Sequence, residues 1–292
     1  MKVLVDADFL AYSCGFASQR AVYDYTVDIG GEVLSEGIVS TRDEIEAIDA
    51  MRPDGAVLTV TPVIEAEPVV NALAMCKRTL LGIETVMDEA KIEFDRLDLF
   101  LTGKGNFREG IATIRGYKAN RIGVERPVHY KAIRRYMAER WGAITVDGYE
   151  ADDAVAMMAH MYQYDPDRIC IVSVDKDLLT VPGRLYNFKK KLMRIVTPEE
   201  ALRAFYRQML TGDVVDNILG CYKSGDKRAL TVIPDDLTDG KDMYGRVLEE
   251  FRASMTRKGC PYTHMTAEAV VLETGRLLHM QRWIGQMWEP PK

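Results

Sequence analysis

Cysteine is scarce and unpatterned: Cys14, Cys76, Cys170, Cys221 and Cys260 are odd in number, scattered, and form no CxxC pair. That excludes a disulfide framework and a cysteine-ligated zinc site, and reads as reduced, mostly buried thiols. Histidine is scarcer still, and His129, His160, His264 and His279 show no ligand spacing, so each is read as structural. No apolar run approaches the roughly 18 residues that a membrane span needs, so no membrane partner is expected. Met1-Lys2 leads straight into an apolar run. No secretory leader is therefore expected, and the chain is read as cytoplasmic. Internal repeats and low-complexity tracts are also missing. Positive charge is in deficit, with 38 Lys and Arg against 44 Asp and Glu, a net charge of −6. Spread evenly, that balance would argue against a nucleic-acid partner.

The charge is not spread evenly. From Lys104 to Arg140 there are ten basic residues against three acids, a local +7 in a chain of 292 residues. This is a phosphate-binding footprint on an otherwise acidic sequence. Its first part, Gly103 to Arg108 and Gly116 to Arg121, mixes glycine, aromatics and cations, the ingredients of an element that stacks bases and neutralises phosphate. Length and a hydrophobic content of 47% allow one large soluble domain, or one domain with a smaller module.

Acids recur wherever an apolar run ends. Lys2-Val3-Leu4-Val5 ends in Asp6-Ala7-Asp8, and Ile169 to Val174 ends in Asp175-Lys176-Asp177. The run Ala143 to Val146 leads to Gly148-Tyr149-Glu150-Ala151-Asp152-Asp153, whose acids fall in the first turn of an apolar helix. After another helix comes Gly212-Asp213-Val214-Val215-Asp216-Asn217. One such trio proves little, because acids favour helix N-termini and roughly one is expected by chance at this composition. Four at strand and helix ends mean more. Short continuous apolar runs read as parallel strands buried on both faces, and ligand sites in open α/β sheets lie beyond their carboxyl ends. The clusters are therefore expected to converge on one cleft. Each close pair of carboxylates there costs about 1 to 4 kcal/mol, so the group needs cations or protons. All-oxygen ligands select hard ions, Mg²⁺ or Mn²⁺ before Zn²⁺. Two such ions suit phosphodiester hydrolysis.

The remaining pattern predicts a helix over 9–16, a hairpin over 21–39 around Gly30-Gly31, and a helix from Thr41 with Glu44 completing a capping box. A loop with an optional strand is expected over 51–65, a long helix over 67–94, and a strand at Asp98 to Leu101. Pro127 to Trp141 reads as a helix, 185–188 and 191–196 as short strands, and Thr197 as the N-cap of a helix to about Leu210. A glycine turn over 220–225 precedes a further helix, and from Val247 the pattern is helical to the Pro290-Pro291 tail.

The motifs Val5-Asp6-Ala7-Asp8, Asn106-Phe107-Arg108, Tyr117-Lys118-Ala119-Asn120-Arg121, Gly148 to Asp153, Ser173 to Asp177 and Gly212 to Ile218 together resemble those of the 5′ nuclease superfamily. This group comprises flap endonucleases and 5′ to 3′ exonucleases related to the PIN fold, and the small phage exonucleases are most similar. The resemblance covers roughly residues 1–230. It implies an α/β fold with a central, mostly parallel sheet flanked by helices, a helical arch over 104–126 and a C-terminal helix-hairpin-helix region. The catalytic domain would span 1–200, carrying the hairpin at its edge, and the helical DNA-binding region 201–292. It implies Asp6, Glu150 and Asp152 as ligands of one Mg²⁺ or Mn²⁺ ion and Asp175, Asp177 and Asp216 as ligands of a second. Asp153 and Asp213 would complete the metal network, with Asp8 a neighbour. Lys118 and Arg121 would steady the scissile phosphate, and Tyr117, Lys104, Phe107, Arg108, Lys223, Lys227 and Arg228 would meet nucleic acid. The hairpin often holds a potassium ion in such nucleases, but Lys223 and Ser224 stand where a glycine and an apolar residue are usual, which tells against K⁺ here. Thr102-Gly103 stands where many members carry an aspartate.

The expected function is a metal-dependent 5′ to 3′ exonuclease with flap endonuclease or RNase H activity, in phage DNA replication within the host cytoplasm. Its substrates would be duplex DNA with a 5′ end, flap or nick, or an RNA:DNA hybrid. The competing expectations are a PIN-type ribonuclease acting on single-stranded RNA, and a nucleic-acid-binding homologue whose catalysis has decayed.

Overall fold

The computed structural model of the protein describes residues 1–262 and 264–292. The chain begins with β1 (Lys2–Asp6), α1 (Asp8–Ala17), β2 (Gln19–Ile29), β3 (Glu32–Val39), α2 (Arg42–Met51), β4 (Val57–Ala66) and α3 (Val69–Glu89). It continues through β5 (Leu97–Asn106), α4 (Phe107–Ile111), α5 (Tyr130–Trp141), β6 (Ile144–Gly148), α6 (Ala151–Met161), β7 (Ile169–Val172), β8 (Gly183–Asn187) and β9 (Leu192–Val196). It ends with α7 (Pro198–Thr211), β10 (Gly212–Asp213), β11 (Ile218–Leu219), α8 (Asp226–Val232), α9 (Gly240–Met255) and α10 (Ala267–Leu278). The chain divides into two compact units, one made of Met1–Phe9, Gly82–Glu125 and Met137–Lys292, the other of Leu10–Leu81 and Arg126–Tyr136.

The first unit is built on a sheet of order β6-β5-β1-β7-β8-β9. Strands β6, β5, β1, β7 and β8 pair in parallel, and β9 closes the edge antiparallel to β8. Val3, Leu4, Val5 and Ile169 to Val172 are all 0% exposed, as continuous apolar runs must be when helices cover both faces of a parallel sheet. The chain extends from β1 to β5 and β6 on one side, then returns to place β7 on the other. The carboxyl ends of β1 and β7 therefore flank the switch point, where an open α/β sheet leaves a crevice. The expected α/β class is borne out. A second core, including Phe205, Met209, Val247, Phe251, Val270 and Val271, holds α7 to α10 together.

The second unit carries a separate antiparallel sheet of order β3-β2-β4. Gly30 and Gly31 take φ of +61° and +89°, and the pair Ile29–Glu32 closes a two-residue turn on them, the geometry glycine supplies most cheaply. The expected hairpin is there, and β4, from the stretch expected to be loop with an optional strand, pairs with β2 to make a three-stranded sheet. The Thr41–Glu44 capping box also forms.

Two expectations are corrected in the first unit. Residues 104–126 hold no helical arch: 104–106 end β5, α4 has five residues, Ala119–Arg121 is one 3-10 turn, and the rest is irregular. Gly105, Gly110, Gly116 and Gly123 interrupt the segment and resist helix propagation. The C-terminal helical pattern is broken between α9 and α10, and helix ends at Leu278. No helix of the described residues is long and apolar enough to cross a membrane.

Candidate metal centre

All of the acids singled out in the sequence lie in the first unit. Strand β1 delivers Asp6, 8% exposed, to the switch point. Its Oδ1 accepts from the Asp8 amide at 3.3 Å and its Oδ2 from the Ser173 hydroxyl at 3.2 Å. The same hydroxyl accepts from the Asp175 amide at 3.0 Å, and Asp175 Oδ1 accepts from the Asp177 amide at 2.9 Å. A serine two residues before an aspartate forms such a turn readily. Asp8 accepts from the Thr102 amide at 3.1 and 3.2 Å, while the Thr102 hydroxyl accepts from the Ala151 amide at 2.9 Å. Thr102, marked in the sequence only as a missing carboxylate, thus joins the first cluster to the start of α6.

Gly148, with φ of +86°, turns the chain from β6 so that Glu150 becomes the N-cap of α6, with Asp152 and Asp153 in its first turn. Gly212 turns α7 into Asp213 with φ of +70°, and a Cβ there would collide with the Gly220 backbone, so only glycine fits. Asp213 Oδ1 then accepts from the amides of Val215 and Asp216 at 2.8 and 3.1 Å.

Cations enter from the basic segment. Lys118 Nζ pairs with Glu150 and stands 3.6 Å from Asp216 Oδ2. Arg121 pairs with Asp216 at 2.8 Å and Lys176 with Asp213 at 3.2 Å. One backbone and one side-chain bond hold this segment in place: the Lys118 amide donates to the Asp216 carbonyl at 3.0 Å, and Asn217 Nδ2 to the Gly116 carbonyl at 2.9 Å. The structure thus brings Lys118 and Arg121 to the acids.

Four of the sequence assignments are corrected. Arg108 is 2% exposed. Its guanidinium grips Asp153 at 2.5 and 2.9 Å and the carbonyls of Leu277 and His279 at 2.8 and 3.1 Å, so it has no face for phosphate. Tyr117 is 9% exposed and donates its hydroxyl to Glu150 and to Asp216, the latter at 2.8 Å, so it cannot stack on a base. Asp153, 0% exposed, is consumed by Arg108 and by the amides of Glu150 and Gln281 at 3.2 and 2.9 Å, which makes it a brace rather than a metal ligand. Phe107 has Arg108 over its ring at 4.6 Å, so that face is taken. Arg108 and Tyr117 were read as facing outward and are buried. Of the remaining cations, Lys104, Lys223 and Lys227 are exposed, while Arg228 is committed to the buried Glu250. Lys223 has φ of +60°, and α8 behind it has only seven residues.

The acids form one electrostatically connected group. Burial, then Asp8 and Asp175, push the Asp6 carboxyl up to about 7. Burial, then Asp175 and Asp213, push Asp177 up to about 7. Burial, Asp153 and Glu150 raise Asp152 well above the usual range. Burial raises Asp216 too, only partly offset by Lys118. At Glu150 burial acts upward, but Lys118 and Arg108 together hold it below its ordinary value. Asp6, Asp8, Glu150, Asp152, Asp153, Asp175, Asp177, Asp213 and Asp216 face Arg108, Lys118, Arg121 and Lys176, an excess of five negative charges. Two divalent cations would offset four of these. Among the described residues no three of these side chains are arranged around one point as metal ligands, and Lys118 sits between two of them. The donor set nevertheless fits hard divalent ions: it is all oxygen and under-neutralised, and burial followed by mutual repulsion raises its carboxyls.

A pH dependence follows. Asp6 and Asp177 bind protons more tightly folded than unfolded, so their protonation stabilises the fold fully below about pH 4, and that stability is lost as pH rises to about 7. In EDTA the melting temperature should be higher at pH 5 than at pH 7.5 by roughly 5 °C. Mg²⁺ should raise it at pH 7.5 and have little effect at pH 5. Scanning calorimetry at both pH values checks this, and an equal Mg²⁺ response at both would refute it.

No family model matches the chain. A 5′-3′ exonuclease of Buchnera aphidicola subsp. Schizaphis graminum is 29% identical over 163 residues, covering 51% of this chain and 55% of that protein. The corresponding protein of Buchnera aphidicola subsp. Acyrthosiphon pisum is 33% identical over 99 residues, covering 31% of this chain and 35% of that protein. DNA polymerase I of Mycobacterium leprae is 26% identical over 196 residues, which is 58% of this chain and 21% of the polymerase. The match thus spans about half, or less, of the curated relatives' length. A T5 protein co-crystallised with metal ions aligns at 16% identity and a TM-score of 0.46 over 68% of this chain and 80% of its own. A zinc-bound T5 5′-exonuclease aligns at 15% and 0.39 over 70% and 90%. Both are likenesses too loose to carry an argument.

Proposed function

We propose that this chain, whose sequence relatives are 5′ nucleases, is a divalent-metal-dependent 5′ to 3′ exonuclease that also cuts flaps or RNA primers near a 5′ end. The observation that supports the reading best is the joining of four acidic clusters, distant in sequence, into one under-neutralised group bordered by Lys118 and Arg121. Asp6, Asp8, Glu150 and Asp152 would hold one ion, and Asp175, Asp177 and Asp216 another, with Asp153 and Asp213 bracing them. Ions bound there would supply Lewis acidity, easing deprotonation of water and offsetting charge on the phosphate. The protein's own work is positioning. Arg108 and Asp153 fix the start of α6, Ser173 fixes Asp6 and Asp175, and Thr102 fixes Asp8. The Lys118 amide and the Asn120 side chain tether this segment to the Asp216 and Val214 carbonyls, so Lys118 and Arg121 can exchange a carboxylate for a phosphate oxygen without moving their main chain. Positioned cations of this kind stabilise the charge that develops on a transferring phosphoryl group.

Lys118→Ala and Arg121→Ala should each lower kcat by about 10- to 100-fold, and the double variant by less than the product if both hold one phosphate. Steady-state rates on a 5′-labelled duplex measure this, and wild-type rates in both single variants would remove these side chains from the mechanism. The reading as a whole is tested by offering blunt duplex, 5′ flap, nicked and RNA:DNA substrates with Mg²⁺ or Mn²⁺. Short labelled products that vanish in EDTA are expected, whereas turnover that survives EDTA refutes it. Exclusive cleavage of single-stranded RNA would favour a PIN-type ribonuclease.

A further inference from the structure

The buried residues of α7 are Ala201, Phe205, Tyr206, Gln208, Met209 and Leu210, and Gln208 is the one amide among them, 9% exposed. Burying an amide costs about 1 to 3 kcal/mol unless its bonds are made, so a leucine would suit the packing better. Gln208 makes one bond: Nε2 donates to Asp177 Oδ1 at 2.7 Å. Its Oε1 has no partner, and a buried orphan of this kind calls for a functional reason.

Asp177 is the start of a relay. Its amide donates to Asp175 Oδ1, the Asp175 amide to the Ser173 hydroxyl, and that hydroxyl to Asp6 Oδ2. The amide of Gln208 therefore holds the Asp177 carboxylate, while the Asp177 and Asp175 backbone amides and Ser173 hold the two carboxylates beside it. It does so without charge, in contrast to Lys118, Arg121 and Lys176, which neutralise Glu150, Asp216 and Asp213. A neutral donor orients a carboxylate and leaves its charge for an incoming cation. Groups that orient metal ligands are worth 10- to 100-fold in ion affinity.

We propose that Gln208 is a positioning residue for the divalent-ion site, fixing the Asp177 carboxylate without adding a countercharge of its own. This rests on the metal-dependent reading given above. The test titrates Mg²⁺ against melting temperature and against product release in the wild type, Gln208→Met, Asp177→Asn and the double variant. Gln208→Met should raise the Mg²⁺ midpoint in both assays roughly 10- to 100-fold, with the rate at saturating Mg²⁺ falling far less than the affinity. Its melting temperature in EDTA should be unchanged or higher, because an unsatisfied acceptor is removed. In the Asp177→Asn background Gln208→Met should shift the midpoint no further. A wild-type midpoint in Gln208→Met overturns the proposal, as does an equal shift without Asp177. If Gln208→Met does not fold, Gln208→Leu, which also lacks the donor and adds no charge, is scored by the same midpoints. If the wild type takes up Mg²⁺ with a Gln208-dependent midpoint yet cuts none of the substrates, the nuclease reading fails and the positioning role stands. If the wild type shows no Mg²⁺ transition, both fall.

Discussion

Asp175→Ala should lower Mg²⁺-supported release of labelled product from a 5′-labelled duplex by at least about 1,000-fold, while leaving the protein as stable in EDTA as the wild type, or more so. The two halves have one cause. Asp175 is exposed, and its charge pushes up the carboxyls of Asp6 and Asp177. Deleting it relieves that repulsion in the ion-free protein, and it removes a ligand that the ions need. A thousandfold loss corresponds to about 4 kcal/mol of barrier, within what a catalytic metal supplies. Stability gained where function is lost marks a site that carries strain for its chemistry. Activity above a tenth of wild type in Asp175→Ala would sink the metal mechanism. A large fall in melting temperature would instead assign Asp175 to the fold.

Arg108→Met should cost about 3 to 5 kcal/mol of stability, the usual consequence of leaving one half of a buried ion pair alone. Asp153 would remain 0% exposed with its countercharge gone, and the carbonyls of Leu277 and His279 would lose their donor. Arg108→Met with Asp153→Asn should recover part of the loss, because the isolated charge is removed as well. Denaturant unfolding of the single and double variants measures the coupling. A loss below about 1 kcal/mol in the single variant would show that the pair is solvated and that Arg108 is free for nucleic acid after all.

The acids after β1 and β7 were legible in the sequence because each cluster follows an apolar run, and a buried parallel strand leaves little choice about where its end points. The capping boxes at Thr41 and Thr197 and the glycine turn at Gly30-Gly31 were legible for the same local reasons. What could not be read was which way a side chain faces when its neighbours are distant in sequence. Arg108 meets Asp153 across 45 positions and Leu277 across 169, so nothing near it in the chain marked it as buried. Tyr117 was misread likewise, its partners Glu150 and Asp216 lying 33 and 99 positions away. The arch was over-read from a family likeness against the local evidence of four glycines. Gln208 left a faint trace, a polar residue on the apolar face of an otherwise regular helix, but its partner Asp177 lies beyond two strands.

The bond from the Gln281 amide to Asp153 has a temporal consequence. It spans 128 positions, and at about 5 to 20 residues per second of synthesis the carboxylate precedes its donor by on the order of ten seconds. Until residues 277–281 are made, the nascent polypeptide holds the Arg108–Asp153 pair without its last three partners, so a half-made chain would carry its acids in a loosened setting. Competence to cut would then arrive late, by which time the ribosome has moved far beyond the codons for the carboxylates.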